Sequence, residues 1–187
     1  MSTGDAKIDF PPENVRKYLE PGPIVLISSQ WQDEHDIMTL GWHTIMEFSP
    51  SLVGCMISAI NHSHQLIRAS GECVINLPTA DMIDQVVAIG NSSGTQVDKF
   101  RANNLTPRAA SNVQAPLIDE CVANFECRLY DDALVEEYNF FIFEVVKAHI
   151  RRQPEYPQTL HYTGAGIFNV SGATLLDKSA DFRPGML

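Results

Sequence analysis

DIMTLGWHTIMEFSP, residues 36–50, reads as one long β-strand because apolar and β-branched residues dominate it. Counting by two along residues 37–48 gives a core face made of Met38, Leu40, Trp42, Thr44, Met46 and Phe48. The opposite face carries Thr39, Gly41 and His43, which are small or mildly polar. A glycine inside a strand marks either a bulge or the close approach of a ligand or another backbone, so this face is the first candidate binding surface.

The composition of the whole chain is that of a folded domain. The 187 residues are 44% hydrophobic and 19% charged, which is enough for one sizeable core. The formal charge is −10 and no run of Lys or Arg is longer than Arg151-Arg152, so a nucleic-acid partner is disfavoured. The chain has no run of 18 apolar residues and no signal-peptide pattern at its start, so we expect a cytoplasmic protein without a membrane partner.

The four cysteines predict a reduced interior rather than a disulfide framework. Cys55, Cys73, Cys121 and Cys127 show no C-x-x-C spacing and lie in apolar, strand-like runs. Buried free thiols are the expected state for such residues in a reducing compartment.

Periodicity and turn residues predict a mainly β chain with a few short helices. The predicted strands are 24–29, 37–48, 52–60, 72–77, 121–129 and 138–150, and the predicted helices are 12–19, 63–70, 81–89 and 98–104. In 121–129 alternate residues are polar, so only one face should be buried. Short connections imply antiparallel neighbours, and about seven such strands dispose of their edges best in a closed or nearly closed barrel.

NHSHQLI, residues 61–67, places a helix start directly after a strand. The first N–H groups of the helix, the Ser63 hydroxyl and the nitrogens of Asn61 and His64 would together cradle a phosphate. Simple N-capping by Ser63 explains the same residues equally well.

The loop 90–96, GNSSGTQ, leads to Lys99 in the first turn of a predicted helix. A cation at that position opposes the helix dipole, so we expect Lys99 to interact with a group outside its own helix.

A metal-dependent β-barrel enzyme is an alternative reading of the histidines His43, His62, His64 and His161. His62-x-His64 has the spacing of a metal-binding pair, but no acid stands three or four residues after His64, where Ile67 and Arg68 are found. The sequence therefore favours another kind of site.

Six segments, in their order and spacing, resemble the flavin reductase-like family of FMN-binding split barrels, and most closely its flavoredoxin branch. The resemblance covers residues 21–172 and rests on PGPIVLIS, MTLGWHTIMEFSP, GCMISAINHSHQLI, GECVINLP, GNSSGTQVDKF and HYTGAGIFNVSG. It implies an antiparallel, Greek-key-like split β-barrel domain over 21–172, which leaves an N-terminal helical extension (1–20) and a C-terminal tail (173–187).

The resemblance also implies a flavin site and a reaction. FMN would contact the chain at Thr39, Leu40, Gly41, Ile57 and Ser58 through its ring, and at Asn61, Ser63, His64 and Lys99 around its phosphate. NADH or NADPH would be the co-substrate and donate a hydride to flavin N5. His161 would help hold the nicotinamide or cover the flavin, or is a structural surface histidine.

The family further implies a homodimer, with an electron-acceptor protein as a possible second partner. The stretch from Met38 to Trp42 fits the flavoredoxin branch rather than the simpler flavin reductases, which leaves open whether FMN stays bound or diffuses. Two alternatives therefore remain beside the reductase and the metal enzyme: an FMN-binding electron-transfer protein without NAD(P)H activity, and a non-catalytic binding or assembly module.

Overall fold

One antiparallel sheet of eight strands organises the chain, as seen in a computed structural model that describes residues 7–15, 22–164, 166–172 and 174–175. The strands are β1 (Lys7–Phe10), β2 (Val25–Trp31), β3 (Glu34–Leu40), β4 (His43–Glu47), β5 (Leu52–Met56), β6 (Glu72–Leu77), β7 (Pro107–Arg108), β8 (Leu117–Ile118), β9 (Ala123–Asp131), β10 (Phe140–Arg151), β11 (Leu160–Gly164) and β12 (Ile167–Val170). The helices are α1 (His62–Ser70), α2 (Ile83–Gly90), α3 (Lys99–Ala102) and α4 (Val135–Tyr138), with short 3-10 turns at Pro12–Asn14 and Ala80–Met82.

The order of strands in the main sheet explains its shape. It runs β3-β2-β6-β9-β10-β5-β4, and β1 pairs with the far end of β10. β3 and β4 thus stand at opposite ends of the order, although only Gly41 and Trp42 separate them along the chain. Consecutive Cα atoms are about 3.8 Å apart, so Leu40 and His43 are at most about 11 Å apart. The sheet is therefore curled into a barrel that is split between β3 and β4.

The predicted single strand 37–48 is wrong, because it is two strands. β3 pairs with β2 and β4 pairs with β5, and the two residues between them lie outside the ladders. This crossing also reverses the alternation of faces. Met38 and Leu40 pack inside the barrel as expected, but on β4 it is Ile45 that packs against the core, while Met46 is exposed.

Two apolar cores flank the sheet. The larger lies inside the barrel and includes Val25, Ile27, Met38, Phe125 and Phe143. The second lies outside, where α2, α3 and the β11–β12 hairpin cover the other faces of β2 and β3. Both faces of the central strands are therefore buried, and all four cysteines are free and buried as predicted.

The prediction that β9 buries only one face is wrong. Asn124 and Glu126 are as fully buried as Phe125 between them, because the segment that holds β7 and β8 covers their side of the sheet. Asn124 Nδ2 donates to Asn76 Oδ1 (2.7 Å) and to the Ile118 carbonyl (3.0 Å). The Asn124 Nδ2 donor and the Glu126 carboxylate are therefore buried with hydrogen-bond partners, the condition under which burial of a polar group is tolerated.

Several predicted elements agree with the structure. The helix predicted at 63–70 is α1, which ends at Gly71 in the left-handed region (φ 68°), a conformation that favours glycine. The long strand predicted at 138–150 is β10, with register shifts at Ile142/Phe143 and Val145/Lys147.

The two ends of the chain are only partly described. In the predicted N-terminal extension, β1 joins the main sheet and a 3-10 turn occupies Pro12–Asn14; the rest of the helix predicted at 12–19 falls on residues 16–21, outside the described residues. Most of the predicted tail, 173–187, also lies outside them. No helix in the described ranges is long and apolar enough to cross a membrane.

We expect the stability of the barrel to fall on acidification because of Glu126. Burial alone would raise the pKa of Glu126, but hydrogen bonds from His149 Nε2 and from the N–H groups of Ser111 and Asn112 outweigh it and hold the pKa below its usual value. A carboxyl with a lowered pKa stabilises the folded state above its unfolded pKa of about 4.3 and loses that contribution as pH falls through the folded value.

The test is urea unfolding of Glu126→Gln and wild type. The amide places an N–H donor against the donors of Ser111, Asn112 and His149. We therefore expect the free energy of unfolding to fall by about 1–3 kcal/mol at pH 7. The difference should shrink at acid pH, where wild type is itself protonated. A difference that does not change with pH would contradict this role for the Glu126 charge.

Candidate functional site

The candidate site is an opening that lies beside the crossing between β3 and β4. It is a cleft of about 510 Å³, within the usual range for small-molecule sites. Its walls come from the crossing, from α2 and from the β11–β12 hairpin, and its lining residues are Gly22, Ile24, Thr39, Gly41, Trp42, Val86, Val87, Gly90, Asn91, Tyr162, Gly166 and Phe168. No acid, lysine, arginine or histidine is among these described lining residues, so the cleft suits an uncharged, partly aromatic group.

Thr39 and Gly41 both line the cleft; Gly41 is exposed there, but the Thr39 side chain is held against α2. Thr39 Oγ1 donates to the Val86 carbonyl of α2 at 2.7 Å. A Cβ added at Gly90 would lie 3.5 Å from Thr39 Oγ1. A Cβ added at Gly41 would lie 3.0 Å from Ile24 Cδ1. The small polar face of β3 therefore packs against α2, and Leu40 points into the barrel core.

Five more of the predicted flavin-site residues lie between Ile57 and His64, just before α1 and in its first turn. Ile57 is buried in the core and Ser58 is half-buried. The N-cap is Asn61 and not Ser63, and the Asn61 side chain donates from Nδ2 to the Ser58 carbonyl at 3.2 Å instead of capping the helix. No side chain in the described residues caps α1. The N–H of His64 donates to the Asn61 carbonyl at 3.1 Å, so the N–H groups of His62 and Ser63 are the ones left for an outside acceptor.

His64 lies in the first turn of α1 and is the one described residue there with a buried polar side-chain atom that lacks a hydrogen-bond partner. Its ring packs edge-on against Phe141 at 5.2 Å, and Nε2 is buried with no hydrogen-bond partner in the described residues. Burial, followed by the charge of Arg68, lowers the pKa of His64. His64 is therefore a neutral imidazole near pH 7, able to donate or accept one hydrogen bond at Nε2.

Lys99 and Ser63 meet at a buried carboxylate that the sequence did not single out. Asp36, on β3, accepts from Ser63 Oγ at 2.8 Å through Oδ2, and Lys99 Nζ lies 3.1 Å from Oδ1. Lys99 Nζ also donates to the Ile37 carbonyl at 2.6 Å. The expectation that Lys99 interacts outside its own helix is confirmed, but its partners are β3 atoms and it is almost fully buried.

Six of the nine predicted site residues thus fall in two places that one loop connects, while Leu40 and Ile57 lie in the barrel core and Ser58 is half-buried before α1. Thr39 and Gly41 lie at the cleft, while Asn61, Ser63, His64 and Lys99 lie around the first turn of α1 and Asp36. Residues 90–96 begin in the cleft wall at Gly90 and reach the carboxylate at Gly94. A ligand longer than the cleft would therefore follow this loop toward α1.

The other histidines have separate partners. His43 Nε2 donates to the Pro23 carbonyl at 2.7 Å, and burial lowers the pKa of His43. His62 lies 3.6 Å from Glu34, and His161 Nε2 shares a hydrogen bond of 3.0 Å with Thr159. In the described ranges no three histidine, cysteine or acidic side chains are grouped as metal ligands.

Sequence reasoning missed the aromatic walls of the cleft. Trp42 was assigned to the core but is 70% exposed, and Tyr162 and Phe168 come from the hairpin, about 120 residues later in the chain. The segment HYTGAGIFNVSG, residues 161–172, contributed only His161 to the predicted site. Its two aromatic residues, Tyr162 and Phe168, were the available signal.

We expect Thr39 to be needed for stability through its bond to α2. Thr39→Val removes the hydroxyl and its hydrogen bond to the Val86 carbonyl, so it should lower the free energy of unfolding by about 1 kcal/mol, whereas Thr39→Ser keeps the donor and should lose much less. Chemical denaturation of both variants measures this. Equal losses would mean that the methyl group, not the hydrogen bond, matters.

Comparison with known proteins agrees with this architecture. An uncharacterized protein of Archaeoglobus fulgidus is 32% identical over 133 residues, which are 71% of this chain and 75% of that protein. The solved FMN-binding domain of a flavin reductases-like enzyme from Shewanella baltica is 20% identical, with a TM-score of 0.86 over 94% of this chain and 100% of its own. Flavoredoxin of Desulfovibrio vulgaris is 20% identical, with a TM-score of 0.76 over 84% and 90% of the two chains.

At these identities the two solved structures establish a shared fold, and the predicted split barrel is confirmed. The family assignment comes from a separate match, which runs from residue 17 to residue 171 and has the description flavin reductase like domain. Since this match covers most of the sequence, the chain belongs to the flavin reductase-like family.

Proposed function

We propose that this protein binds FMN and transfers a hydride to it from NADH or NADPH. The observation that carries the proposal is the uncapped first turn of α1, with the unused Nε2 of His64 beside it and the neutral aromatic cleft at the other end of the 90–96 loop. An anionic tail on an uncharged planar ring is the ligand chemistry that suits both places.

The phosphate of FMN fits the start of α1. Helix N-terminal N–H groups and the positive end of the helix dipole favour an anion, and α1 is nine residues long. His64 Nε2 would add one hydrogen bond. Neither nearby cation is unpaired: Lys99 is paired with Asp36, and Arg68 is paired with Glu136 at 2.7 Å.

The ring of FMN fits the cleft. Trp42, Tyr162 and Phe168 offer aromatic surface, and Val86 and Ile24 offer aliphatic surface. Backbone groups around Gly41 are accessible because that residue carries no side chain and is exposed. These residues would hold the polar edge of the ring through backbone hydrogen bonds, while the apolar walls keep water from its reactive face.

When bound, FMN supplies an electron-accepting ring, and the hydride passes to its N5 from a nicotinamide. The chain itself supplies orientation and the exclusion of water. The cleft presents no acid, base or nucleophile from its described lining, and hydride transfer to a flavin needs none. Tyr162 and Gly166 form one edge of the cleft, and His161 is the residue before Tyr162. His161 therefore remains a candidate to support the nicotinamide.

We expect the purified protein to retain flavin absorbance after addition and removal of excess FMN. Anaerobic NADH or NADPH should then bleach that absorbance. Bands that persist would indicate an FMN electron-transfer protein that uses another donor. No affinity for FMN in a titration would contradict the proposal, and would favour a metal enzyme if metal analysis finds an ion, or an assembly module if it does not.

We expect His64 to contribute to the phosphate and not to the ring. His64→Ala should weaken the binding of FMN by about 1 kcal/mol, roughly fivefold in affinity. The affinity for riboflavin, which lacks the phosphate, should stay the same. Gln65→Ala is the matched control, because Gln65 is the exposed next residue of the same helix. Fluorescence titration of both ligands measures the change. An equal loss for FMN and riboflavin would place His64 elsewhere in the function.

We also propose that the protein is a homodimer joined through the outer face of β4. Trp42, Met46 and Phe48 are 70%, 44% and 56% exposed, and β4 is an end strand of the sheet. Exposed apolar surface on a sheet edge commonly marks an interface. Trp42 also lines the cleft, so a second copy placed there would complete the site.

We expect Phe48→Glu to weaken the dimer by about 2 kcal/mol or more, roughly thirtyfold, as for a central interface aromatic residue. Tyr156→Glu, at an exposed aromatic residue on the β10–β11 loop, is the control. Sedimentation over a concentration series measures both. A wild-type protein that sediments as a monomer would contradict the dimer.

A further inference from the structure

We propose that Asp36 is the positioning residue that assembles the phosphate end of the flavin site. The inference rests on the proposed function, in which the phosphate lies at the first turn of α1. Asp36 is not expected to touch the ligand. It acts through three segments that meet at its carboxylate: α1, the 90–96 loop and α3.

The carboxylate is buried; its Oδ2 accepts a hydrogen bond, while its Oδ1 faces the Lys99 ammonium as an ion pair without a hydrogen bond in the described residues. Asp36 is 2% exposed, and it holds the hydroxyl of Ser63 at 2.8 Å and the ammonium of Lys99 at 3.1 Å. Ser63 is the second residue of α1, so this bond fixes the first helical turn against β3. Lys99 is the first residue of α3 and also binds the Ile37 carbonyl, so the same ion pair fixes α3 to the edge of the sheet.

The loop between the cleft and α3 is packed directly on Asp36. A Cβ added at Gly94 would lie 2.9 Å from Asp36 Oδ2, and closer still to Oδ1 and Cγ. Real side chains do not approach so closely, so only glycine allows the loop to rest on the carboxylate. One buried charge thereby sets the distance between the loop and the start of α1, along which the ribityl phosphate would run.

This arrangement assigns a different role to Lys99 from the one that the sequence suggested. Its side chain is 4% exposed, and its charge is opposed by Asp36 at 3.1 Å. Lys99 therefore does not act as a free cation for the phosphate. The two possible roles predict opposite changes in FMN affinity. If Lys99 bound the phosphate directly, removing the Asp36 charge would strengthen FMN binding; if Asp36 positions the site, it would weaken it.

The experiment compares FMN and riboflavin affinity in wild type, Asp36→Asn and Gly94→Ala by fluorescence titration. Asp36→Asn keeps an oxygen for Ser63 but faces Lys99 with an amide. Gly94→Ala keeps the ion pair and displaces the loop. Gly172→Ala is the control, because its new Cβ would meet only Thr174 N at 3.9 Å. Thermal unfolding and near-ultraviolet circular dichroism verify that each variant is folded.

We expect both site variants to lose FMN affinity by about tenfold or more, with riboflavin changed less than about twofold. Tighter FMN binding by Asp36→Asn, unchanged FMN binding, or equal loss of both ligands would overturn the inference. If Asp36→Asn does not fold, Gly94→Ala decides by the same criteria. A wild type that binds FMN no better than riboflavin would instead overturn the phosphate site of the proposed function.

Discussion

The two-residue crossing at Gly41 and Trp42 is the constraint on which the structure depends. It joins the first and last strands in the order of the sheet, so the sheet has to curl until its ends are within reach. Curling creates the inner core and also leaves a split, since β3 and β4 face different partners there. The cleft lies beside this split, because the crossing residues form part of its wall.

The second determinant of the site is the burial of charge beneath it. Asp36 and Lys99 are both nearly inaccessible, and a buried ion pair is tolerated only when its remaining polar atoms are satisfied. Here Ser63 and the Ile37 carbonyl satisfy them. The polar network thus holds α1, the loop and α3 in one arrangement. Glu126 likewise holds the loop that contains Ser111 and Asn112, because its carboxylate accepts from the backbone N–H groups of both residues.

Much of the fold could be predicted from the sequence, and so could part of the site. α1, β6 and β10 have strong local signals: a helical period ended by Gly71, and runs of β-branched and aromatic residues. The prediction failed at residues 37–48, because the apolar pattern continues through the crossing and nothing local marks the change of partner. It also failed at Asn124 and Glu126, whose polarity suggested exposure until a distant loop covered them.

The sequence by itself determined the β-rich composition, the reduced cysteines, the flavin reductase-like resemblance and the two neighbourhoods of the site, since each depends on residues close together in the chain. Only the tertiary structure decided that Thr39 packs on α2, that Trp42 is exposed, and that Lys99 is paired with Asp36. These facts depend on pairs 47 and 63 residues apart or on which strand lies next to which. Local sequence carries no record of such contacts, because they arise when the sheet curls and brings its ends together.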